Sequence, residues 1–359
     1  MRAARRHSIA DAFMTTAKPP SSRTGKITIR DVACDAGVSK TSISRYLGGE
    51  LSALSDRTRE RIEQSIARLG YRPSQMARAL KAGRTRLIGM LVADVLNPYS
   101  VAVLHGAEAL CRARGYTLVL CNTGNDDACE NLSLQALRSY NVEGLIVHTL
   151  GTASPLLAEI VAGGLPVVLV DRRLRGIEAD LVGLDNAAAT AVAARHLVQG
   201  GFSDIAWVSE SVQGVSSRED RHAAFLSELA AQPAARGRVI ELPHLEDNVA
   251  LDTALRAFAG DGSGQRKALL AASGVVTLQL VLAMRRLGLA LPDDLGLLGF
   301  DELPWASVAG PGISTLAQPT DAIGHAAMSC LFERIAGDRQ PPREILFPGH
   351  LIARGSTAI

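Results

Sequence analysis

The first residues that could do chemistry are a run of short polar side chains and two cations between residues 39 and 45. The run follows a Gly37-Val38 pair, which is typical of a tight turn between two helices. Hydroxyl, ammonium and guanidinium groups donate hydrogen bonds to phosphate oxygens and to base edges. If a helix begins at residue 40, its outer face and first turn carry Lys40, Thr41, Ser42, Ser44 and Arg45. The spacing predicts a helix-turn-helix that reads double-stranded DNA, although other helical hairpins share the general pattern.

Two capped helices are expected to position this run. Thr28 should cap a first helix over residues 29–36, which Gly37 ends in a left-handed conformation. Ser39 should cap the second helix, residues 40–47, whose inner face is apolar. A third helix is predicted to follow, because serine precedes a helical apolar pattern that stops at a glycine.

A second set of polar side chains is predicted at one edge of a sheet. From Arg86 onward, apolar runs such as LIGMLVADV alternate with helical patterns, which indicates a doubly wound parallel sheet. In such sheets ligands bind beyond the carboxyl ends of the strands. The side chains expected there suit a polyol, and they are Asp94 to Ser100, Asn122 to Asn125, His148, Asp171 to Arg173, Asp185-Asn186, Ser209 to Arg221, Ser273 and Phe300-Asp301. No nucleophile–base pair, metal-ligand set or phosphate-cradling loop stands out among them, so we predict no catalytic residue, metal or cofactor.

The 359 residues exceed what one hydrophobic core usually serves, so several domains are expected. We predict a disordered extension over 1–26, a helix-turn-helix domain over 27–72, a hinge helix and linker over 73–85, and an effector-binding and dimerisation domain over 86–359.

The charge distribution agrees with this division. The net charge is only +2, but residues 1–86 contain 18 basic and 7 acidic side chains, a net of +11. Residues 87–359 contain 20 basic and 29 acidic side chains, a net of −9. A basic head on an acidic body is typical of a polyanion-binding module joined to a domain that does not bind polyanions. A solvated basic face without a partner is the alternative.

Composition narrows the class of protein further. Five scattered cysteines without a CxxC pair are typical of reduced thiols and do not indicate a metal site. No apolar run approaches the ~18 residues of a membrane span, and the basic N-terminus lacks the apolar core of a secretory signal. We therefore expect no membrane partner and a cytoplasmic, nucleoid-associated location.

Three motifs make the chain similar to the lac repressor (LacI/GalR) family of bacterial transcription regulators, over about residues 27 to 357. They are T-I-x-D-V-A-x-x-A-G-V-S-x-x-x-x-S-R, L-G-Y-R-P-S-x-x-A-x-x-L and I-G-x-x-x-x-D-x-x-N-P. The stretches RPSQMARALKAGRTRLIG and SVAVLHGAE resemble the 2-ketogluconate-responsive members in particular. The resemblance implies a homodimeric repressor that binds a palindromic operator and is controlled by a small sugar or sugar acid.

The resemblance also implies which residues contact DNA. The second helix would lie in the major groove, where Lys40 and Thr41 touch base edges and Arg45 completes the readout. A short linker helix over residues 75–81 would fold on the operator, and Leu80 would wedge into the minor groove, as apolar side chains do in kinked DNA. The remaining contacts implied are those of Thr28, Ser39, Ser42, Ser44, Ser74 and Ala77.

For the larger domain, the resemblance implies a two-lobed clamshell of the type I periplasmic-binding-protein kind. Lobe 1 would hold about residues 86–184 and 315–343, and lobe 2 about residues 185–314 and 344–357, with crossings near residues 185, 314 and 344. The effector-binding residues expected in the cleft are Tyr99, Ser100, His148, Arg172, Arg221, Ser273, Asp301 and Gln318.

Some of these side chains could instead have purely structural roles. Asp301 could cap a helix, Arg221 could be a surface ion-pair partner, and Arg172 or Arg173 could pair with Asp180 or Glu178. The chain also departs from the family pattern, since Ser273-Gly274 stands where many members have Asn-Asp. Because arginine forks match carboxylates, the arginines near strand ends favour a sugar acid over a neutral sugar.

Two other classes of function are compatible with the sequence. The clamshell would suit a sugar-binding transport protein, but the basic head and the missing signal sequence argue against one. An enzyme on the same scaffold is the other alternative, although the strand ends offer no activated nucleophile.

Overall fold

The computed structural model describes residues 27–71, 84–149, 154–260 and 264–358. These residues fall into two compact units, one before and one after residues 72–83. The predicted extension over residues 1–26 and most of the predicted linker, including Ser74, Ala77 and Leu80, lie outside the described residues.

The first unit is a bundle of three helices, α1 (Ile29–Ala36), α2 (Lys40–Leu47) and α3 (Asp56–Leu69), with a 3-10 turn over Leu51–Ala53. The predicted turn is confirmed, because Gly37 has a φ of 59° and ends α1 in the left-handed conformation. Ser39 caps α2 by accepting a hydrogen bond from the Ser42 backbone at 3.1 Å.

A small apolar core holds the three helices together. Val32 and Ala36 of α1, Ile43 of α2 and Ile62 of α3 are buried in it, so each helix contributes one face to the core. A bundle this small buries little apolar surface, and its polar contacts therefore matter for stability.

The second unit contains two parallel sheets. The first sheet has the strand order β11-β5-β4-β3-β1-β2. Its lobe comprises β1 (Leu87–Val92), α4 (Pro98–Ala113), β2 (Thr117–Asn122), α5 (Asp127–Ser139), β3 (Gly144–His148), α6 (Pro155–Ala162), β4 (Val167–Val170), β5 (Asp180–Leu184), α11 (Thr320–Ile335) and β11 (Glu344–Phe347).

The second sheet has the order β12-β10-β9-β8-β6-β7, in which only β12 runs antiparallel to its neighbour. Its lobe comprises α7 (Asn186–Gln199), β6 (Asp204–Ser209), α8 (Ser216–Ala230), β7 (Arg236–Glu241), α9 (Asn248–Ala259), β8 (Lys267–Ala271), α10 (Gly274–Leu287), β9 (Gly296–Phe300), β10 (Ser314–Ala317) and β12 (His350–Ile352).

Two glycines fix the return of the chain to the first lobe. A Cβ on Gly106 of α4 would lie 2.3 Å from the Asp321 carbonyl, and one on Gly324 of α11 would lie 2.1 Å from the Val103 carbonyl. Only glycine permits the two helix backbones to approach this closely. The core of the first lobe therefore includes α11, although α11 lies far from α4 in the sequence.

The predicted lobe boundaries after residue 314 are wrong in two places. Ser314–Ala317 pairs with β9 and belongs to the second sheet, not the first. Glu344–Phe347 pairs with β5 and belongs to the first sheet, not the second. A physical reason is visible at Asp180, whose buried carboxylate accepts hydrogen bonds from the Arg343 backbone at 2.8 Å and from Arg334 of α11 at 2.7 Å. The chain thus crosses after Leu184, after Ala317 and after Phe347.

Candidate functional site

The exposed face of α2 carries the side chains predicted to contact DNA. Lys40, Thr41 and Arg45 are exposed, and Ser44 is half-buried beside them. Positions 40, 41, 44 and 45 share one helix face, because residues four apart lie one turn above each other. Ile43, on the opposite face, is fully buried. The helix therefore presents one continuous polar and cationic surface.

Three of the other predicted DNA contacts, Thr28, Ser39 and Ser42, have structural partners. The Thr28 hydroxyl donates to the Asp31 carboxylate at 2.7 Å, and the Thr28 backbone donates to the same oxygen at 2.8 Å. The Ser39 and Ser42 hydroxyls lie 3.0 Å apart at the start of α2. These residues order the beginnings of α1 and α2 whatever else they contact.

Polar contacts from α3 hold the turn that positions α2. The buried Ser65 hydroxyl donates to Asp35 of α1 at 2.6 Å, and Arg68 donates to the same carboxylate at 2.5 Å. Arg61 donates to the Gly37 carbonyl in the turn itself at 3.1 Å. These contacts fix the angle at which α2 leaves the turn.

The helical unit is less basic than the sequence on either side of it. Residues 27–71 contain seven basic and six acidic side chains. Several are paired, including Arg45, whose Nε lies 3.9 Å from Glu50. The excess positive charge of the head therefore lies mainly in residues 1–26 and 72–86. The polar face of α2 is therefore distinguished by its hydrogen-bond donors more than by its net charge.

In the second unit, all eight residues predicted to bind an effector line one cavity between the lobes. The cavity has a volume of about 270 Å³. Tyr99, Ser100, His148 and Arg172 come from the first lobe, whereas Arg221, Ser273, Asp301 and Gln318 come from the second lobe and its crossing segment. The structure therefore brings together every residue of the predicted set.

Asp171 is the electrostatic centre of this cleft. Its Oδ2 accepts a hydrogen bond from Ser217 of the second lobe at 3.1 Å and lies 3.3 Å from Arg172 Nε and 3.6 Å from His148 Nε2. Its Oδ1 lies 3.9 Å from Arg221 Nη2. Burial alone would raise the pKa of Asp171, but the His148 ring and the two guanidinium groups hold it well below its ordinary value. Asp171 thus stays ionised and links the lobes.

Arg221 is an interior residue, not a surface ion-pair partner. It is 5% exposed, and it donates to Asn186 at 2.6 Å and to the Ala272 carbonyl at 2.7 Å. Its guanidinium lies 4.2 Å from the centre of the Phe300 ring, within cation–π range. These contacts hold the side chain against the floor of the cleft.

Asp301 both caps a helix and faces the cleft. It accepts hydrogen bonds from the Gly274 backbone at the start of α10 (2.9 Å) and from Gln318 (2.6 Å). Burial raises the pKa of Asp301, and Arg221 together with the two hydrogen bonds opposes this. The helix-cap role and the cleft prediction are therefore compatible.

Several buried polar atoms in the cleft have no hydrogen-bond partner among the described residues. They are Tyr99 Oη, His148 Nε2, Asp171 Oδ1, Arg172 Nε and Gln318 Oε1. Burial lowers the pKa of His148, so its ring is neutral at physiological pH. Because buried polar groups in native proteins are nearly always bonded, these atoms are available to water or to a polar ligand.

Two family models match the two units. The model for bacterial regulatory proteins of the lacI family matches residues 28–74, and the model for a periplasmic binding protein-like domain matches residues 194–357. The HTH-type transcriptional regulator PtxS of Pseudomonas aeruginosa is 52% identical over 333 residues, which cover 93% of this chain and 96% of that protein. The chain belongs to the LacI family of bacterial transcription regulators.

Other proteins show the same relationship. The HTH-type transcriptional regulator KdgR of Bacillus subtilis is 38% identical over 334 residues, covering 93% of this chain and 98% of that protein. The crystal structure of the lac repressor dimer bound to operator and the anti-inducer ONPF has a TM-score of 0.79 at 23% identity and covers 93% of this chain and 100% of that chain. The predicted fold class is confirmed, and the family assignment favours a regulator over the enzyme and transport alternatives.

The predicted set omits several cleft residues of this LacI-family regulator, and three of them form ion pairs there: Asp171, Glu210 and Arg218. All three lie in the strand-end segments that the sequence indicated. These residues form ion pairs within the cleft, and the spacing of residues along the sequence does not predict such long-range pairs. Arg173, also near a strand end, does not line the cleft and pairs with Asp220 at 2.5 Å.

Neither of the two arginines after β4 pairs with Asp180 or Glu178, the alternative partners that the sequence offered. Arg172 pairs with Asp171, and Arg173 pairs with Asp220 and Glu344. Asp180 pairs with Arg334 and Arg343 instead. Among the described residues, no group of three or more His, Cys, Asp or Glu side chains could hold a metal ion. In the same parts of the chain, no helix is long and apolar enough to cross a membrane.

Proposed function

We propose that this regulator is a repressor that binds a palindromic operator as a homodimer, and that a sugar acid in the interlobe cleft controls its operator affinity. The best candidate effector is 2-ketogluconate. The observation that carries the proposal is the cleft itself, in which buried polar and charged side chains from both lobes surround a cavity of about 270 Å³.

The size and chemistry of the cleft favour one monosaccharide-sized ligand. Typical small-molecule pockets range from ~300 to ~1,000 Å³, so this cavity is at the small end. Carboxylate, amide and hydroxyl oxygens suit sugar hydroxyls, and arginine forks suit a carboxylate. The similarity to PtxS and KdgR over most of the chain supports a regulator of the same kind.

Lobe-bridging contacts suggest how the ligand would act. Asp171 of the first lobe already bonds Ser217 of the second, so a ligand that contacts both lobes stabilises one relative position of the lobes. We propose that the change in lobe position on ligand binding shifts the first lobes of the dimer and loosens the linker helices from the operator. Ordering of the linker on DNA would make it the natural switch.

Isothermal titration calorimetry with 2-ketogluconate, gluconate and galactose tests the effector class. The proposal expects binding of one or both acids and weaker binding of galactose. Binding of galactose alone would rule out a sugar-acid effector.

The operator side is tested separately. DNase footprinting upstream of neighbouring genes should reveal a palindromic site, and the affinity of the protein for this site should fall steeply with salt, because bound cations are released from DNA.

The Leu80→Ala variant should lose DNA bending and specific affinity while nonspecific binding survives. Unchanged specific affinity in that variant would contradict the wedge. Footprints without two-fold symmetry would contradict the dimer. We propose that the protein acts at the nucleoid.

A further inference from the structure

Three guanidinium groups converge at one end of the cleft. Arg172 follows β4 in the first lobe, and Arg218 and Arg221 lie three residues apart on α8 of the second lobe. Residues three apart share a helix face, so both α8 side chains point the same way. The side chains of Arg172, Arg218 and Arg221 are 10%, 17% and 6% exposed, which places all three charges largely out of water.

Carboxylates from both lobes balance these three charges. Asp171 lies beside Arg172 and Arg221, as described above. Glu210, which directly follows β6, accepts a hydrogen bond from Arg218 Nη2, while Arg218 Nη1 donates to the Ser211 carbonyl at 2.9 Å. Asp301 is a third carboxylate of the cleft, where burial raises its pKa and Arg221 lowers it, so the three cations are balanced and Glu210 is the carboxylate that neutralises Arg218.

Arg218 is a poorly hydrated cation with other cations nearby. Burial lowers the pKa of Arg218, Glu210 and Asp171 oppose the change, and the charges of Arg172 and Arg221 add to the lowering. A further anion beside Arg218 would relieve this repulsion.

The acceptor groups of the cleft lie at its other end. Asp301 and Gln318 follow β9 and β10, whereas Glu210 follows β6. In the second sheet β8 separates β6 from β9, so these ends are about two strand spacings, roughly 10 Å, apart. A ligand with a carboxylate at one end and hydroxyl groups at the other matches this arrangement.

We propose that Arg218 selects an anionic effector, and that Glu210 occupies in the effector-free protein the position that the effector carboxylate takes on Arg218. This inference rests on the proposed sugar-acid effector and names the residue that recognises its acid group. On binding, the ligand carboxylate accepts the Arg218 hydrogen bond and Glu210 turns into solvent. The Glu210 side chain is already 31% exposed, so it regains water without a change of fold. Lysine or glutamine in place of Arg218 would lose the planar fork.

Two variants with opposite expected effects test the proposal. The ligands are 2-ketogluconate and D-fructose, which share a carbon skeleton and differ in having a carboxylate or a hydroxymethyl group at C1. For Arg218→Gln, calorimetry should show the Kd for 2-ketogluconate rising roughly 10- to 100-fold, as expected for lost charge-assisted hydrogen bonds, with little change for fructose. For Glu210→Gln, the Kd for 2-ketogluconate should fall several-fold, because the competing carboxylate is gone.

A purely structural salt bridge predicts a different pattern. If Glu210 only holds Arg218 in position, Glu210→Gln will weaken acid binding, and that result would overturn the proposal. Equal losses for 2-ketogluconate and fructose in Arg218→Gln would overturn it as well. Arg286→Gln is the matched control, since Arg286 pairs with Asp252 on the surface at 2.7 Å and does not line the cleft.

The outcomes separate this inference from the proposed function. If the wild-type protein binds the operator but not 2-ketogluconate, the proposed effector is wrong and the role of Arg218 falls with it. If the wild-type protein binds 2-ketogluconate and Arg218→Gln binds it equally well, only the Arg218 assignment is wrong. Effector-free operator binding checks the fold of each variant, and Glu210→Gln decides the question alone should Arg218→Gln fail to fold.

Discussion

Replacing Arg221 with glutamine should destabilise the second unit strongly. The buried guanidinium makes two hydrogen bonds, to Asn186 at 2.6 Å and to the Ala272 carbonyl at 2.7 Å. Hydrogen bonds from charged groups contribute ~1.5–3 kcal/mol each. The shorter, neutral amide reaches neither partner and leaves Asp171 with one fewer cation. We therefore expect the free energy of unfolding to fall by about 3–5 kcal/mol, the range found when one partner of a buried charge pair is removed.

Tryptophan fluorescence during urea unfolding measures this loss. The two tryptophans of the chain, Trp207 and Trp305, both lie in the second lobe. Trp207 packs on Phe300, the ring that Arg221 covers, with ring centres 6.5 Å apart. At an m-value of about 3 kcal/mol/M, the urea midpoint should fall by roughly 1–1.7 M.

Arg286→Gln provides the comparison for this experiment. Arg286 belongs to an exposed ion pair, and such pairs contribute little, so the urea midpoint should stay close to that of the wild type. If Arg221→Gln also unfolds at the wild-type midpoint, the two buried hydrogen bonds do not stabilise the fold, and the structural account of Arg221 is wrong.

Three further predictions concern pH, the helical unit and base readout. The folded-state pKa of Asp171 lies below its ordinary value of 3.8, so the ionised carboxylate stabilises the fold above about pH 4 and this stabilisation is lost as the pH falls. The thermal midpoint of Asp171→Asn should therefore drop less steeply in acid than that of the wild type. Equal slopes of thermal midpoint against pH for the two proteins would contradict this prediction. His148 has a pKa below its ordinary value of 6.5 and also destabilises the fold as the pH falls below that value, so that part of the pH profile should persist in the variant. Ser65→Ala removes the buried hydrogen bond to Asp35 and should lower the free energy of unfolding of the helical unit by about 1–2 kcal/mol. We expect weaker operator binding with unchanged effector affinity. Reduced effector affinity would show that the effect is not confined to the helical unit. Lys40→Ala should weaken operator binding in gel shifts far more than binding to scrambled DNA, whereas an equal loss on both would assign Lys40 to phosphate contact.

Much of the fold follows from local chemistry. Gly37 and Ser39 define the turn and the start of α2, and the alternation of apolar runs with helical patterns predicts parallel sheets. Strand ends in such sheets meet at one edge, which is why residues as distant as Tyr99 and Asp301 could be predicted to share a cleft.

Long-range pairing accounts for most of what the sequence does not predict. Ser314–Ala317 and Glu344–Phe347 are four-residue strands, and nothing in so short a run indicates which sheet it joins. The pairing of Glu210 with Arg218 requires the end of β6 and the first turn of α8 to meet. The links of Asp171 to Ser217 and Arg221 require the two lobes to close on each other. These interactions form only when the second unit is folded, so local sequence patterns do not predict them.

Operator binding in the presence of the matched ligands tests the central claim most directly. A labelled operator fragment, identified by footprinting, is titrated with the protein at fixed salt, alone and with saturating 2-ketogluconate or D-fructose. Coupling between two sites in regulators is typically about 5- to 150-fold, and we predict that 2-ketogluconate weakens operator affinity by at least about 5-fold while fructose has no effect. An operator affinity that 2-ketogluconate leaves unchanged would contradict the account.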